Sequence, residues 1–285
     1  MSLVGLSPLL ARAQNEHYAV GAFNYCNAEI AQAIVEQASA LRSPVLLLTA
    51  PWEGPLLGAE MLVNVAGFLA SGTDVPVCLH LDHASDPDLI EPCIDAGFSS
   101  VMIDASRHDF EENIRLTRSV VDRAHAKGVD VEGELGAVGR ASAAAIEGGQ
   151  AASLTDPDRA AEFAERTGVD ALAIAIGNAH GIYTRLPTLD FQRLEAIRKA
   201  TNVPLVLHGG SGTPPDQLRK AIQLGITKVN IASEIGHAYL GAIQQSVAEH
   251  DGNVWYAQVL ADAKAAVAEV AGRWMRMLGS AGRGG

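Results

Sequence analysis

The sequence is short of cysteine, of lysine and arginine, and of long apolar runs, and each shortage narrows what the chain does. Its three cysteines, Cys26, Cys78 and Cys93, form no CxxC pair, and an odd number completes no disulfide framework. A reducing compartment is the expectation, with a cytoplasmic location. Lys and Arg total 21 against 33 Asp and Glu, a formal net charge of −12, which argues against nucleic acid or an anionic membrane as a partner. An anionic substrate then needs local cationic help from a metal, a basic side chain or helix N-termini. No apolar run reaches the roughly 20 residues of a membrane span, and no signal-peptide pattern opens the chain, so a soluble protein is expected. Linkers, composition shifts and sequence repeats are missing too, which favours one domain over residues 1–285.

What the sequence does contain is a rhythm. Short apolar runs alternate with stretches of helical period, the signature of βα units on a parallel sheet. Eight strand segments are expected at 19–24, 44–50, 76–82, 100–106, 130–136, 171–177, 204–210 and 228–233. Eight such units fit a closed (β/α)8 TIM barrel better than an open sheet, and in that architecture chemistry sits at the C-terminal ends of the strands. Residues 254–278 read as an extra helix after the barrel closes, and 279–285, GSAGRGG, as a flexible tail.

Three histidines fall at expected strand ends: His83 in HLDHA, His180 in GNAHG and His208 in LHGGSG. Taken singly, each is most simply a histidine bonded to backbone. Three at one rim point to a catalytic divalent metal with an open coordination position, zinc first, though imidazole suits several ions. His80 is expected inside the barrel, and His17, His108, His125, His237 and His250 at the surface. Asp82 adjoins His83, and strand alternation predicts that the two point apart, leaving the carboxylate to act on substrate or to sit in a salt bridge. Asp104, Glu132 and Glu134 also lie at strand ends, as partners of the histidines or as ligands for an alternative metal position. The loop HGGSG (208–212) and NIAS (230–233) occupy the strand-seven and strand-eight ends, where such barrels build phosphate sites from backbone N–H groups. A glycine-rich loop alone is weak evidence, and its place beside His208 strengthens it.

At this point the motifs GAFNYCN, HLDHA, MIDAS, VEGELG, TDP, GNAHGIY, LHGGSG and KVNIASE, in this order through most of the chain, resemble those of the class II, metal-dependent ketose-bisphosphate aldolases, the fructose- and tagatose-bisphosphate type. The resemblance implies zinc on His83, His180 and His208, and Asp82 as the proton-transfer residue at the aldehyde end. It matches Gly181, Gly209, Gly210, Ser211, Asn230, Ile231, Ala232 and Ser233 to the positions holding dihydroxyacetone phosphate, with a monovalent cation (Na+ or K+) close by. Asn230 also matches an asparagine that steadies the enediolate. The family forms homodimers or homotetramers, and Trp274, Met275 and Met277 could serve such an interface or pack within the chain. Metal chemistry needs no Schiff-base lysine, and only Lys228 lies in an expected strand.

The chain departs from the family at several points. The mobile loop after ELG usually carries a glutamate that protonates the enediolate. Here Ser142 stands at that position, Arg140 replaces a glycine, and Glu147, five residues on, is the candidate substitute. Trp52 stands in the loop after the second strand, and Asn178 where relatives commonly have threonine, and both departures bear on the aldehyde-side specificity. The leading expectation is a zinc aldolase that cleaves a ketose 1,6-bisphosphate to dihydroxyacetone phosphate and an aldehyde, or runs the reverse. A related aldolase or isomerase acting on another sugar phosphate, and a sugar-phosphate-binding protein without turnover, are the alternatives.

Overall fold

The computed structural model describes residues 2–140, 153–181 and 186–285. Eight parallel strands form a closed barrel: β1 (Val20–Asn24), β2 (Val45–Thr49), β3 (Val77–Ala84), β4 (Ser100–Ile103), β5 (Asp130–Leu135), β6 (Ala171–Ile174), β7 (Leu205–Leu207) and β8 (Ile226–Ile231). Each pairs with its sequence neighbours, and β8 closes the ring on β1. Every expected strand segment carries a strand. Those expected to reach 106, 177 and 210 stop at Ile103, Ile174 and Leu207, because there the chain turns into the loops that build the mouth.

Short polar residues start the helices that follow the strands. Asn27, Asp109 and Asp190 accept hydrogen bonds from the backbone N–H groups of Ile30, Glu112 and Arg193, satisfying donors that an α-helix leaves orphaned at its start. Asp86 and Asp156 do the same just before Pro87 and Pro157, whose missing N–H costs nothing at the first helical position.

Inward-facing side chains alternate along the strands. At the N-terminal end Val20, Ala22, Leu46, Leu48, Ala171, Ala173 and Val206 pack against Leu6, Leu9 and Leu10 of helix Leu6–Glu16, which plugs the barrel floor. The buried polar layer above holds His80, Glu132 and Lys228, none with any solvent exposure. Lys228 Nζ lies 2.7 Å from Glu132 Oε2, and His80 Nδ1 lies 2.8 Å from Ser100 Oγ. Burying a charge is costly unless it is paired, and this layer meets that condition for Glu132 and Lys228. Burial, reinforced by the Lys228 charge, brings the His80 imidazole down to about 3 and keeps it neutral.

The final helix spans Tyr256–Met277, close to expectation. Trp274 and Met275 are buried against the chain's own helices Ala28–Leu41 and Ser233–Glu249, and Trp274 Nε1 donates to Glu234 Oε2 at 3.0 Å. These two side chains therefore serve packing within the chain. Residues 279–285, expected to be a flexible tail, are instead docked. Ser280 is fully buried and bonds Ser43 Oγ at 2.8 Å, while the N–H groups of Gly282 and Gly284 reach the carbonyls of Leu41 and Arg42 at 2.8 and 2.6 Å. The small residues that suggested flexibility are what let this backbone lie close to its neighbours.

Deleting 279–285 is accordingly expected to cost about 2–4 kcal/mol at roughly 1 kcal/mol per lost hydrogen bond, and to lower the melting temperature by several degrees. Calorimetric scans of the full and shortened chains check this; unchanged melting would mean that the docked tail contributes nothing to stability.

Candidate active site

The C-terminal ends of the strands surround a cleft of about 560 Å³. Strand β3 enters it irregularly. Leu81 pairs with Val101 and Ala84 with Ile103, so β3 carries one residue more than β4 across that step, and His83 has φ of 47°. A left-handed conformation at a non-glycine residue costs on the order of 1–3 kcal/mol. It also breaks the alternation that predicts Asp82 and His83 pointing apart, and both side chains line the cleft.

His180 arrives from a two-residue strand, Ala179–His180, that pairs in parallel with Gly139–Arg140. His208 follows β7 directly. Gly209, with φ of 64°, lies so close to this short strand that a Cβ there would come within 2.0 Å of the Ala179 carbonyl oxygen. Only glycine lets the β7 loop press against the segment carrying His180. Asn178, read as a departure on the substrate side, is buried away from the cleft: its Nδ2 donates to the His208 carbonyl at 3.0 Å and its Oδ1 accepts from Ile176 N–H at 2.9 Å. It therefore fixes the backbone that presents His208.

The three imidazoles converge. His83 Nε2 and His180 Nε2 are 3.0 Å apart, and the His83 and His208 ring centroids 4.5 Å. One nitrogen from each residue falls within a 4.8 Å cluster. Carboxylates hold the opposite ring edges: Asp104 Oδ2 lies 3.1 Å from His83 Nδ1, and Glu132 Oε1 lies 2.8 Å from His208 Nε2. That leaves His83 Nε2 and His208 Nδ1 turned toward the cluster. His208 Nδ1 and Glu134 Oε2, both buried, face each other at 3.2 Å as an ion pair without a well-aligned hydrogen bond. An orphaned buried acceptor or donor costs about 1–3 kcal/mol, and a divalent cation among these atoms would satisfy them, so the donor set fits a metal. Carboxylates backing metal-binding imidazoles set ring orientation and tautomer. His83, Asp104 and Glu134 form a second, overlapping cluster, the alternative position expected for those two acids.

Electrostatics separate the site's members. Burial and the neighbouring His83 and His208 bring His180 down to about 3. Burial opposes charge on His208, but without a metal Glu132 and Glu134 outweigh it and push the imidazole up to about 10, so an ion binding at Nδ1 would displace a proton there. Burial likewise works against ionised Asp82, yet His83, His208 and Lys228 together hold its carboxyl below the usual range. Asp82 stays a carboxylate. Its Oδ1 accepts from Asn230 Nδ2 at 2.9 Å, and among the described residues Oδ2 has no hydrogen-bond partner. On the adjoining strand β1, Asn24 Nδ2 donates to Glu53 Oε2 at 3.0 Å. Both asparagines thus have the amide nitrogen clasped by an acid, and both Oδ1 atoms are buried and unpartnered.

Of the residues matched to phosphate binding, Gly181, Gly209, Ser211, Asn230, Ala232 and Ser233 line the cleft. Gly210 and Ile231 do not. The Gly210 N–H is taken by the Asn230 carbonyl at 3.0 Å, and the Ile231 side chain belongs to the core outside the barrel. Ala232 and Ser233 open the 17-residue helix Ser233–Glu249 at the cleft edge, and helix N-termini favour anions.

Trp52 is largely exposed at the rim, as expected, and lines the cleft. Lys228 is locked to Glu132, and among the described residues no lysine lines the cleft. His17, His108, His125, His237 and His250 are all exposed. Glu147 and Ser142 lie outside the described residues. Asn24, Glu53 and Arg107 escaped the sequence reading; Asn24 stood within the quoted GAFNYCN, and the signal for the other two was only their position in loops after β2 and β4.

A family model for class II fructose-bisphosphate aldolase matches residues 4–283. The chain is similar to the YdjI aldolase from Escherichia coli K12, with 36% identity and a TM-score of 0.87, covering 99% of this chain and 100% of that one. A structure described as a candidate fructose-1,6-bisphosphate aldolase from Coccidioides immitis is 32% identical with a TM-score of 0.86, covering 97% and 96%. Fructose-bisphosphate aldolase from Campylobacter jejuni, 22% identical over 99% and 97% of the two chains at a TM-score of 0.84, shares the fold.

Proposed function

The chain belongs to the class II fructose-bisphosphate aldolase family and is an aldolase, a carbon–carbon lyase, and from that premise we propose a zinc-dependent enzyme that splits a ketose 1,6-bisphosphate into dihydroxyacetone phosphate and an aldehyde, or joins them. The observation that carries the reading is the convergence of His83, His180 and His208 beside Asp82 in a cleft that Gly181, Gly209, Ser211, Ala232 and Ser233 also line.

The histidines hold the ion, oriented by Asp104 and Glu132. When bound, a divalent ion at that point supplies Lewis acidity for the negative charge left by cleavage. Asp82, kept ionised, takes the proton from the C4 hydroxyl during cleavage and returns it to the aldehyde oxygen during condensation. Asn230 holds Asp82 in place and offers its Oδ1 to a substrate hydroxyl. Gly181, Gly209, Ser211, Ala232 and Ser233 grip the phosphate, with Na+ or K+ beside it, so that remote binding energy orients the reacting carbons. Glu147 is the proposed donor of the proton to the three-carbon product. Assembly as a homodimer or homotetramer belongs to the same reading.

Zinc-loaded protein incubated with fructose 1,6-bisphosphate or tagatose 1,6-bisphosphate is expected to release dihydroxyacetone phosphate, to stop in EDTA and to recover on zinc addition. Release that persists in EDTA from protein shown to be metal-free would sink the metal assignment. Protein that holds zinc but cleaves neither sugar would overturn the substrate assignment while leaving the aldolase class in place.

A further inference from the structure

The proposed phosphate site lies on the β7 and β8 side of the cleft, while Arg107 reaches the same cleft from the loop after β4. In a ring of eight strands β4 and β8 stand four places apart in either direction, so the two features face each other across the mouth with Asp82 and His83 between them. Among the described residues Arg107 is the only lysine or arginine lining the cleft, and its guanidinium has no ion pair or hydrogen bond there.

Its loop is fixed. Asp104 Oδ1 accepts from Ser106 N–H at 3.2 Å and from Ser106 Oγ at 2.7 Å, His108 N–H reaches the Ala105 carbonyl at 3.0 Å, and Asp109 caps the next helix. A rigid three-residue span therefore presents an unneutralised arginine to the side of the cleft where the aldehyde half of the substrate leaves. That side is otherwise acidic, with Asp82, Asp104 and Glu134 in its walls. A second anion entering here meets repulsion unless a cation offsets it.

We propose that Arg107 is a specificity-determining residue that binds an anionic group on the substrate end remote from the dihydroxyacetone phosphate moiety. The planar fork of a guanidinium matches phosphate and carboxylate alike through paired N–H···O bonds, so the substrate class is a ketose phosphate with a second terminal anion of one of these two kinds. The inference rests on the aldolase reading above.

The test runs condensation with dihydroxyacetone phosphate on three acceptors: glyceraldehyde 3-phosphate, succinic semialdehyde and uncharged glyceraldehyde. Arg107→Met is expected to lower kcat/KM on the order of 100-fold for at least one anionic acceptor, chiefly through KM, and to move uncharged glyceraldehyde by less than about threefold, with Arg107→Lys recovering part of the loss. The acceptor with the larger loss identifies phosphate or carboxylate as the group bound. Equal losses on all three acceptors, or none on the charged ones, overturn the assignment to Arg107 while glyceraldehyde turnover upholds the aldolase. Should the wild type condense no acceptor, calorimetry on the zinc-loaded protein decides independently. Fructose 1,6-bisphosphate, or a ketose 1-phosphate ending in a carboxylate, is expected to bind tighter than fructose 1-phosphate in the wild type and equally in Arg107→Met; equal affinities for all three in the wild type reject the inference.

Discussion

His180→Ala is expected to strip the protein of its divalent ion and to lower turnover by about three orders of magnitude or more, roughly 4 kcal/mol of transition-state stabilisation. A site with three protein ligands and an open position loses both affinity and geometry when one imidazole goes. His180 is the informative one to remove. His208 is fully buried and its Nε2 pairs with Glu132, so its loss would strand a buried carboxylate. His180 is only half-buried, and its side chain meets chiefly the other two histidines. The metal-free variant should therefore melt within about a degree or two of metal-free wild type, as expected where no buried partner is orphaned. Metal content by elemental analysis, set beside kcat, checks the prediction. A variant that retains a full equivalent of tightly bound ion would remove His180 from the ligand set, and would shift weight to the His83, Asp104 and Glu134 cluster.

The second large effect is expected at Asp82. Asp82→Asn keeps the shape and an oxygen able to accept from Asn230 Nδ2, but it cannot take up the hydroxyl proton. General-base contributions run to about 10²–10⁴-fold, and a loss on the order of 10³-fold in kcat is expected, with KM and bound metal nearly unchanged. That split separates proton transfer from metal holding, because His180→Ala should lose both ion and rate. A wild-type kcat in Asp82→Asn would return Asp82 to the structural role of an Asn230 partner. Because His83, His208 and Lys228 hold the Asp82 carboxyl below its ordinary value, the base stays ionised as pH falls through the usual carboxylate range. The acid limb of the wild-type rate is therefore not expected to arise from Asp82.

Much of this was legible in the sequence, for identifiable reasons. Parallel barrel strands are buried on both faces and are written as continuous apolar runs, so all eight appear where expected. The three histidines are legible because polar residues at the ends of such runs have few structural reasons to be there. The β3 irregularity is different. Nothing in HLDHA marks His83 as left-handed, since neither glycine nor proline flags it, and alternation from the inward-facing Cys78 and His80 turns Asp82 inward but sends His83 away from the cleft. Asn178 misled in the opposite sense: as a departure from the family's threonine it pointed to altered aldehyde-side specificity, whereas its hydrogen bonds run backward into the His208 backbone. The C-terminal glycines read as freedom, though backbone N–H groups find carbonyls wherever the chain can come close enough. Arg107 was silent because an exposed arginine in a loop is unremarkable until the strand order puts it opposite the proposed phosphate site.

The β3 irregularity also has a mechanical meaning. Asp82 and His83 are joined by one peptide unit, whose α-carbons are about 3.8 Å apart whatever the rest of the barrel does. The distances from His83 to His180 and His208 depend on how three separate loops pack, and can breathe with them. The α-carbon spacing of Asp82 to His83 cannot, because it is covalent. The backbones that carry Asp82, the proposed proton-transfer residue, and His83, a proposed metal ligand, thus move as a single lever about the end of β3, and a strain that displaces one displaces the other in step.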